Sequence, residues 1–317
     1  MAKIHRSDAP YTRHPGQATQ QFQAQPAEPP QPEEEAPACS EPNGDEEDGD
    51  EAPPAPEKPK KTKRKKGKAD IFYNIAMVVC LAVFLVSGGL LVKRFFDDRQ
   101  SESEFAALES MIDSDAPAAE GEESNSAKFA ALRDQNSDFI GWISIEDTKL
   151  DFPVMYAPNN KDFYLRHDFN KEYSIYGVPY LDEKTTLGAN DQSENLIIYG
   201  HNMKTGTIFG CLTGYKDADY YEEHPYVQFD TVYGDATYEV FAAFSIDVVA
   251  DTSFVYNQYV DMDEETYNTF VDEVLSRSNV DTGIRPSYGE QLLTLSTCEY
   301  SSDNGRYVVV ARRVDAE

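Results

Sequence analysis

The sequence QLLTLSTCEY, residues 291–300, places a single cysteine directly after a short run of strand-forming residues. Leucine alternates there with smaller polar residues, and turn-forming residues stand at Gly289 and at 301–305. The run is therefore predicted to be a half-buried strand with Cys298 near its C-terminal end. A thiol held by a rigid sheet can meet a carbonyl carbon in a fixed geometry, which makes Cys298 a candidate nucleophile. The alternative is an inert buried cysteine, the commoner fate of a lone cysteine on a strand.

Two further strands carry the partners that a cysteine nucleophile needs. LIIYGH, residues 196–201, is an apolar strand that delivers His201 to the following loop, and GRYVVVARR, residues 305–313, is a strand whose second residue is Arg306. Cysteine catalysis requires a base or cationic partner for the thiol and a donor for the oxyanion. His201 and Arg306 have that chemistry. Taken singly, each also fits a surface role, as a solvated turn histidine or as a charge that keeps a strand edge soluble.

The motif TLSTC at 294–298 resembles the TLxTC signature of the sortases, the cysteine transpeptidases that attach surface proteins to the Gram-positive cell wall. Ser296, the Glu299 after the cysteine, and the YVVVA strand at 307–311 resemble class B in particular. The resemblance covers about residues 126–317 and keeps the order of histidine strand, long insertion, cysteine strand and arginine strand.

By this resemblance, His201, Cys298 and Arg306 take the places of the family's catalytic histidine, cysteine and arginine. Tyr199, Ser296 and Glu299 adjoin these residues and are expected to shape the substrate cleft.

The resemblance also implies a fold, a closed and mostly antiparallel sortase β-barrel with peripheral helices. The strand pattern alone predicts only a β-rich α+β domain. An amphipathic helix predicted at 263–277, just before the cysteine strand, is typical of class B. Further helices are predicted at 127–136, 159–169 and 207–215, and further strands at 139–145, 149–155, 177–181, 226–230 and 237–249.

Composition divides the rest of the chain into three segments. Residues 1–70 are rich in Pro, Gln, Glu and Ala and are predicted to be a disordered tail ending in a basic block, 58–68. Residues 71–92 contain no charge and are long enough for a transmembrane helix. Residues 93–126 are polar and acidic and are predicted to be a stalk that holds the catalytic domain, 127–317, off the membrane.

The orientation of the span follows from the positive charges beside it. Eight Lys or Arg residues lie within 58–68 on one side, against Lys93, Arg94 and Arg99 on the other. The positive-inside rule therefore predicts a single-pass type II protein with a cytoplasmic N-terminus and an extracellular catalytic domain.

Charge and cysteine usage narrow the possible partners and cofactors. After residue 70 the chain carries 43 acidic and 17 basic residues, which argues against nucleic acid as a partner. The four cysteines lie at 39, 80, 211 and 298, without zinc spacing, and we expect Cys211 and Cys298 to be thiols. No calcium-loop spacing is present, and class B sortases do not generally use calcium, so no metal or other cofactor is expected.

The resemblance implies the following reaction. Cys298 attacks the Thr carbonyl of a C-terminal sorting signal in a surface-protein precursor, and the acyl group passes to an amine of a lipid-linked peptidoglycan precursor. Three alternatives remain open from the sequence: a pilin-polymerising sortase, a membrane-anchored cysteine peptidase that only hydrolyses, and a non-catalytic scaffold.

Overall fold

The computed structural model describes residues 68–118, 121 and 123–314. The predicted tail and its basic block lie outside the described residues, apart from residues 68–70. The helices of the described part are α1 Lys68–Glu109, α2 Ala130–Gln135, α3 Ala218–Glu223 and α4 Glu264–Arg277. The strands are β1 Phe139–Ser144, β2 Asp151–Met155, β3 Tyr180–Leu181, β4 Asn195–Tyr199, β5 Tyr226–Thr231, β6 Thr237–Asp247, β7 Leu292–Cys298 and β8 Gly305–Val314.

The eight strands form a closed barrel in the order β1-β2-β3-β4-β7-β8-β6-β5. The pairs β2–β3 and β4–β7 are parallel, and the other pairs around the ring are antiparallel. The closed, mostly antiparallel barrel expected from the resemblance is therefore confirmed. Closure leaves none of these strands as an unpaired edge.

Alternation along the strands separates two apolar layers. Leu293 and Leu295 of β7 pack in the large cluster that contains residues of every barrel strand, whereas Leu292 packs with α4 in a second cluster. Successive side chains of a strand point to opposite faces, so the first cluster fills the barrel and the second covers its outer wall. Even-numbered residues of β7 and β8, such as Val308 and Val310, belong to that outer wall.

Helix α1 does not end where the apolar stretch 71–92 ends, but continues to Glu109. Its apolar part is long and apolar enough to cross a membrane, and those side chains are exposed. Its last turns reach the barrel: Leu108 is buried, and the Phe105 ring packs edge-on against Phe152 of β2 at 4.8 Å. Residues 93–109 of the predicted stalk thus belong to α1, and the end of this helix packs against the barrel.

Three predicted helices differ from the structure. Segment 159–169 contains only a 3₁₀ turn, Phe163–Leu165, preceded by Asp162 with a left-handed φ of 56°. Segment 207–215 is replaced by a 3₁₀ helix, Gly210–Lys216, and α2 is shorter than the predicted 127–136. The helix predicted at 263–277 is present as α4, with the Asp263 side chain accepting a hydrogen bond from the Thr266 amide at its N-terminus.

Candidate active site

Cys298 is the last residue of β7, and it pairs directly with Arg306 of β8 in the antiparallel register. Paired residues project from the same face of a sheet with their Cβ atoms about 5 Å apart. The even numbering of both residues places them on the outer wall, where Val308 packs with α4. The Arg306 side chain is half-buried, and its Nη1 donates to the Gly305 carbonyl at 2.9 Å.

His201 reaches the same wall from the other side of β7. Strand β4 pairs in parallel with β7, and the ladder continues past its end, where the Gly200 amide donates to the Ser296 carbonyl at 3.2 Å. The Thr297 hydroxyl donates to the Gly200 carbonyl at 2.8 Å. These two bonds fix the backbone before His201 to the backbone before Cys298.

A third bond ties the residues that follow. The side-chain amide of Asn202 donates to the Cys298 carbonyl at 2.8 Å, and the Tyr300 hydroxyl donates to the Asn202 carbonyl at 2.9 Å. The loop that follows His201 and the loop that follows Cys298 are thus joined by hydrogen bonds immediately beyond the two candidate residues.

The imidazole of His201 is held by a main-chain group. Its Nε2–H donates to the Leu165 carbonyl at 2.7 Å, and because a carbonyl only accepts, Nε2 carries a proton. In the neutral ring, Nδ1 is then the nitrogen that can accept one. Burial, reinforced by the charge of Arg166, lowers the pKa of His201 from 6.5 against the opposite effect of the Leu165 bond, which favours the neutral ring at pH 7.

These three side chains line one cavity of about 520 Å³. Its base includes Ser296 and Tyr199, two of the residues predicted to shape the cleft. Its remaining walls come from the 3₁₀ turn before Arg166, from β3 and the residue after it, and from the segment 254–257 that precedes α4. The other lining residues are Lys161, Asp162, Leu165, Arg166, Tyr180, Asp182, Gly200, Val248, Phe254, Val255, Tyr256, Asn257 and Thr297.

Hydrogen bonds fix the segment 254–257 over the strands. The hydroxyls of Tyr256 and Ser296 are 2.7 Å apart, and the Asn257 amide donates to the Tyr199 hydroxyl at 3.2 Å. The Tyr199 hydroxyl in turn donates to the buried carboxylate of Asp182 at 2.8 Å. Burial and neighbouring acidic groups raise the pKa of Tyr199, so these phenols act as neutral hydrogen-bonding groups.

Glu299, the third residue predicted to shape the cleft, is not among the residues that line this cavity. It is buried, and its carboxylate forms an ion pair with Lys216 at 2.8 Å and accepts hydrogen bonds from Ser301. In this position it fixes the β7–β8 connection.

The remaining histidines and cysteines of the described part lie elsewhere. His167 stacks on Phe163 and His224 bonds to the Glu146 carbonyl, and neither lines the cavity. Cys211 and Cys298 are separate free thiols, and burial raises the pKa of Cys211 to about 11. Among residues 68–118, 121 and 123–314, no group of three His, Cys, Asp or Glu side chains is arranged to hold a metal.

Several residues around the cavity escaped the sequence reasoning. Asn202 had one available signal, its position directly after His201. Leu165, Tyr256 and Asn257 had none, because they come from connections that only the fold brings over β4 and β7.

Comparison with known proteins agrees with this architecture. The sortase domain family model matches residues 143–314. Sortase B of Staphylococcus aureus is 27% identical over 243 residues, which cover 76% of this chain and 96% of that protein.

Solved structures give the same result. A Staphylococcus aureus sortase B-substrate complex superimposes with a TM-score of 0.61 at 27% identity, covering 70% of this chain and 100% of that one. A structure of sortase B complexed with triglycine superimposes with a TM-score of 0.61 at 29% identity, covering 69% and 100%.

Proposed function

This chain belongs to the sortase family, with sortase B enzymes among its relatives, and on that premise we propose that it is a membrane-anchored cysteine transpeptidase of class B. It cleaves a C-terminal sorting signal after Thr and transfers the acyl group to an amine of a lipid-linked cell-wall precursor. The observation that carries the proposal is the single cavity lined together by Cys298, His201 and Arg306.

In the first half of the reaction, the sulfur of Cys298 bonds to the Thr carbonyl carbon of the sorting signal. A tetrahedral intermediate forms, and its collapse breaks the peptide bond and leaves a thioester. As the sulfur bonds to carbon, the thiol proton passes to neutral His201, and the imidazolium so formed gives that proton to the departing amine, which leaves with the released peptide. A Staphylococcus aureus sortase B has been solved as a substrate complex, which supports a peptide in this cavity.

In the second half, the incoming amine attacks the thioester carbonyl. Neutral His201 accepts the proton that the amine loses, and Cys298 leaves as the thiolate. The Nε2–H bond to Leu165 supports this role, since it leaves Nδ1 to exchange the proton. The sortase B structure complexed with triglycine supports a peptide with a free amine as the acceptor class.

Arg306 stabilises the negative charge that develops on the carbonyl oxygen. Its guanidinium carries several donors in a planar fork and starts from the position opposite Cys298. In the described structure one of these nitrogens bonds to the Gly305 carbonyl, which leaves the other donors for substrate.

The apolar part of α1 anchors the enzyme in the membrane, with the barrel on the outer side. The charge asymmetry beside residues 71–92 supports this type II orientation. Both substrates are membrane-tethered in this proposal, since the sorting signal belongs to a surface-protein precursor and the acceptor is lipid-linked.

The proposal is tested by mass spectrometry of the full chain in detergent, mixed with a library of sorting-signal peptides, with and without triglycine. The expected result is an acyl adduct on Cys298 that disappears when triglycine is added, together with a peptide–triglycine product. Cys298→Ala is expected to form neither, while Cys211→Ala, which changes a thiol outside the cavity, is expected to react normally.

Three other outcomes would each contradict part of the proposal. Peptides that are only hydrolysed in the presence of triglycine would indicate a cysteine peptidase. In a parallel reaction that contains both triglycine and a lysine-bearing pilin peptide, transfer to the lysine in preference to triglycine would indicate a pilin-polymerising enzyme. An unreactive wild type, indistinguishable from Cys298→Ala, would remove the catalytic assignment.

A further inference from the structure

The residues that follow the apolar stretch of α1 mark a boundary along the helix. Lys93 and Arg94 are the first charged residues after the apolar stretch, and the exposed rings of Phe95 and Phe96 come directly after them. Basic and aromatic residues in this order are typical of the interface between the hydrocarbon core and water. The membrane surface is thereby expected near Lys93.

A groove of about 570 Å³ runs along α1 from this boundary toward the barrel. One wall is a single face of the helix, which includes Lys93, Gln100, Glu104 and Met111. The opposite wall is mainly the segment 168–176, which joins the 3₁₀ turn of the candidate site to β3. Because this segment and α1 from Lys93 to Met111 line the same groove, the segment lies beside the part of the helix that follows the membrane boundary.

The segment presents two large side chains to the outside. Tyr173 is 72% exposed and Ile175 is 43% exposed, although both lie on the folded barrel domain. Ile175 supplies an apolar side chain and Tyr173 an aromatic ring with a polar hydroxyl, a combination suited to the headgroup region of a bilayer.

The backbone that carries these residues is held by specific contacts. The Asp168 carboxylate accepts hydrogen bonds from the amides of Asn170 and Glu172, both at 2.9 Å. His167 and Tyr173 form an antiparallel bridge, and the Ser174 amide donates to the Arg166 carbonyl at 2.9 Å. The backbone that carries the two exposed side chains therefore has a fixed position relative to the wall of the candidate active site.

We propose that Tyr173 and Ile175 rest in the lipid interface on the barrel's side of the membrane, so that the catalytic domain sits on the bilayer. The proposal rests on the membrane anchoring proposed above for α1. The adjacent charges are of both signs, Lys171 and Glu172, so the contact is made by the amphipathic ring and the aliphatic side chain and requires only zwitterionic lipid.

This seating sets the height of the candidate active site. Ser101 of α1 lies close to Thr205 and Thr207 of the loop that follows His201, since the three line one small cleft. At a helical rise of about 1.5 Å per residue, Ser101 is about 14 Å beyond Val92. The cavity then opens close to the membrane surface, within reach of a peptide and an acceptor that are both tethered there.

The test uses the full chain in phosphatidylcholine nanodiscs and tryptophan quenching by two sets of lipids, one brominated near the headgroup end of the acyl chain for positions 173 and 175 and one brominated near its methyl end for position 84. The sole native tryptophan, Trp142, is 7% exposed and supplies the background. Tyr173→Trp is the probe, Ile175→Trp repeats it, and Phe84→Trp within the apolar stretch reports whether α1 is embedded. Tyr288→Trp is the matched control, because Tyr288 is 46% exposed and contacts Tyr267 of α4, which packs on β6 rather than beside β2.

Emission from the Tyr173→Trp and Ile175→Trp variants is expected to be weaker in brominated than in unbrominated nanodiscs, and blue-shifted relative to lipid-free detergent solution. Emission from Tyr288→Trp is expected to be the same in both kinds of nanodisc. Quenching at position 84 without quenching at 173 and 175 would overturn the seating and leave the anchoring intact. No quenching at position 84 would overturn the anchoring itself, and with it the seating.

Discussion

The side-chain amide of Asn202 donates a hydrogen bond to the main-chain carbonyl of Cys298 at 2.8 Å. The bond joins the residue after His201 to the cysteine itself, and it therefore fixes the spacing of the two candidate catalytic side chains although Asn202 does not line the cavity. Small displacements of catalytic groups are costly because proton transfer and attack need close, aligned atoms.

We expect Asn202→Ala to lower kcat for acylation by roughly tenfold to a hundredfold, since a misplaced base raises the barrier, with little change in KM. Stopped-flow kinetics with a sorting-signal peptide measures both quantities. Asn202→Asp preserves shape but lacks the donor and should behave like Asn202→Ala; activity of Asn202→Asp equal to the wild type would contradict the role.

Titration of His201 provides a second prediction. Burial lowers its folded-state pKa from 6.5, so the unfolded chain binds the proton more readily than the folded one. The resulting stability is fully present above about pH 6.5 and is lost as the pH falls toward the lowered value. An NMR titration of the imidazole should give a midpoint below pH 6.5. As the pH falls from 6.5 through that midpoint, the free energy of unfolding of His201→Gln should decrease less than that of the wild type.

Replacing Arg306 by lysine separates charge from geometry. Lysine keeps the positive charge but lacks the planar set of donors, so we expect kcat to fall by roughly tenfold or more while substrate binding persists. The matched control is Arg313→Lys, a change in the same strand outside the cavity lining. If Arg306→Lys and the wild type are equally active, the planar set of donors is not needed and the positive charge of Arg306 alone is sufficient.

Gly200 is required by a close contact. A Cβ atom at this position would lie 2.7 Å from the ring of the fully buried Phe209. Gly200→Ala should therefore displace either that ring or the backbone before His201, at a cost of about 1–3 kcal/mol. The melting temperature and kcat, measured on the same variant, are both expected to fall. Gly283→Ala is the control: its position is open but has a positive φ, so alanine there should lower the melting temperature and leave kcat unchanged.

The ion pair between Glu299 and Lys216 fixes the connection after Cys298. Burial acts to raise the pKa of Glu299, but the hydrogen bonds from Lys216 and Ser301 outweigh it and place the pKa below 4.5. The stabilisation is therefore present above about pH 4.5 and is lost as the pH falls through the lowered value. Glu299→Gln should cost about 1 kcal/mol at pH 7, discounted for the exposure of Lys216, and less under acid conditions, as urea unfolding at both pH values would show.

The strands and the order of the candidate site residues could be predicted from the sequence because both depend on residues that are neighbours along the chain. Alternating apolar residues predicted β7, and a strand of that pattern must present Cys298 and Ser296 on one face. Arg306 was identified by the resemblance of the motif around Cys298 and of the strand that follows it to the sortases, and the structure shows that it stands directly opposite Cys298. The amphipathic helix α4 likewise follows from its own spacing of apolar residues.

Only the tertiary structure decided which groups meet those residues. The Leu165 carbonyl reaches His201 across 36 positions of sequence, and Asn202 reaches Cys298 across 96. The segment 159–169 failed to become a helix although its aromatic residues have helical spacing, because Tyr164 is buried and bonded to Asn136 and Asp138. Such connections take their conformation from distant partners, and the free energy of those contacts exceeds the small local preferences that a sequence pattern reports.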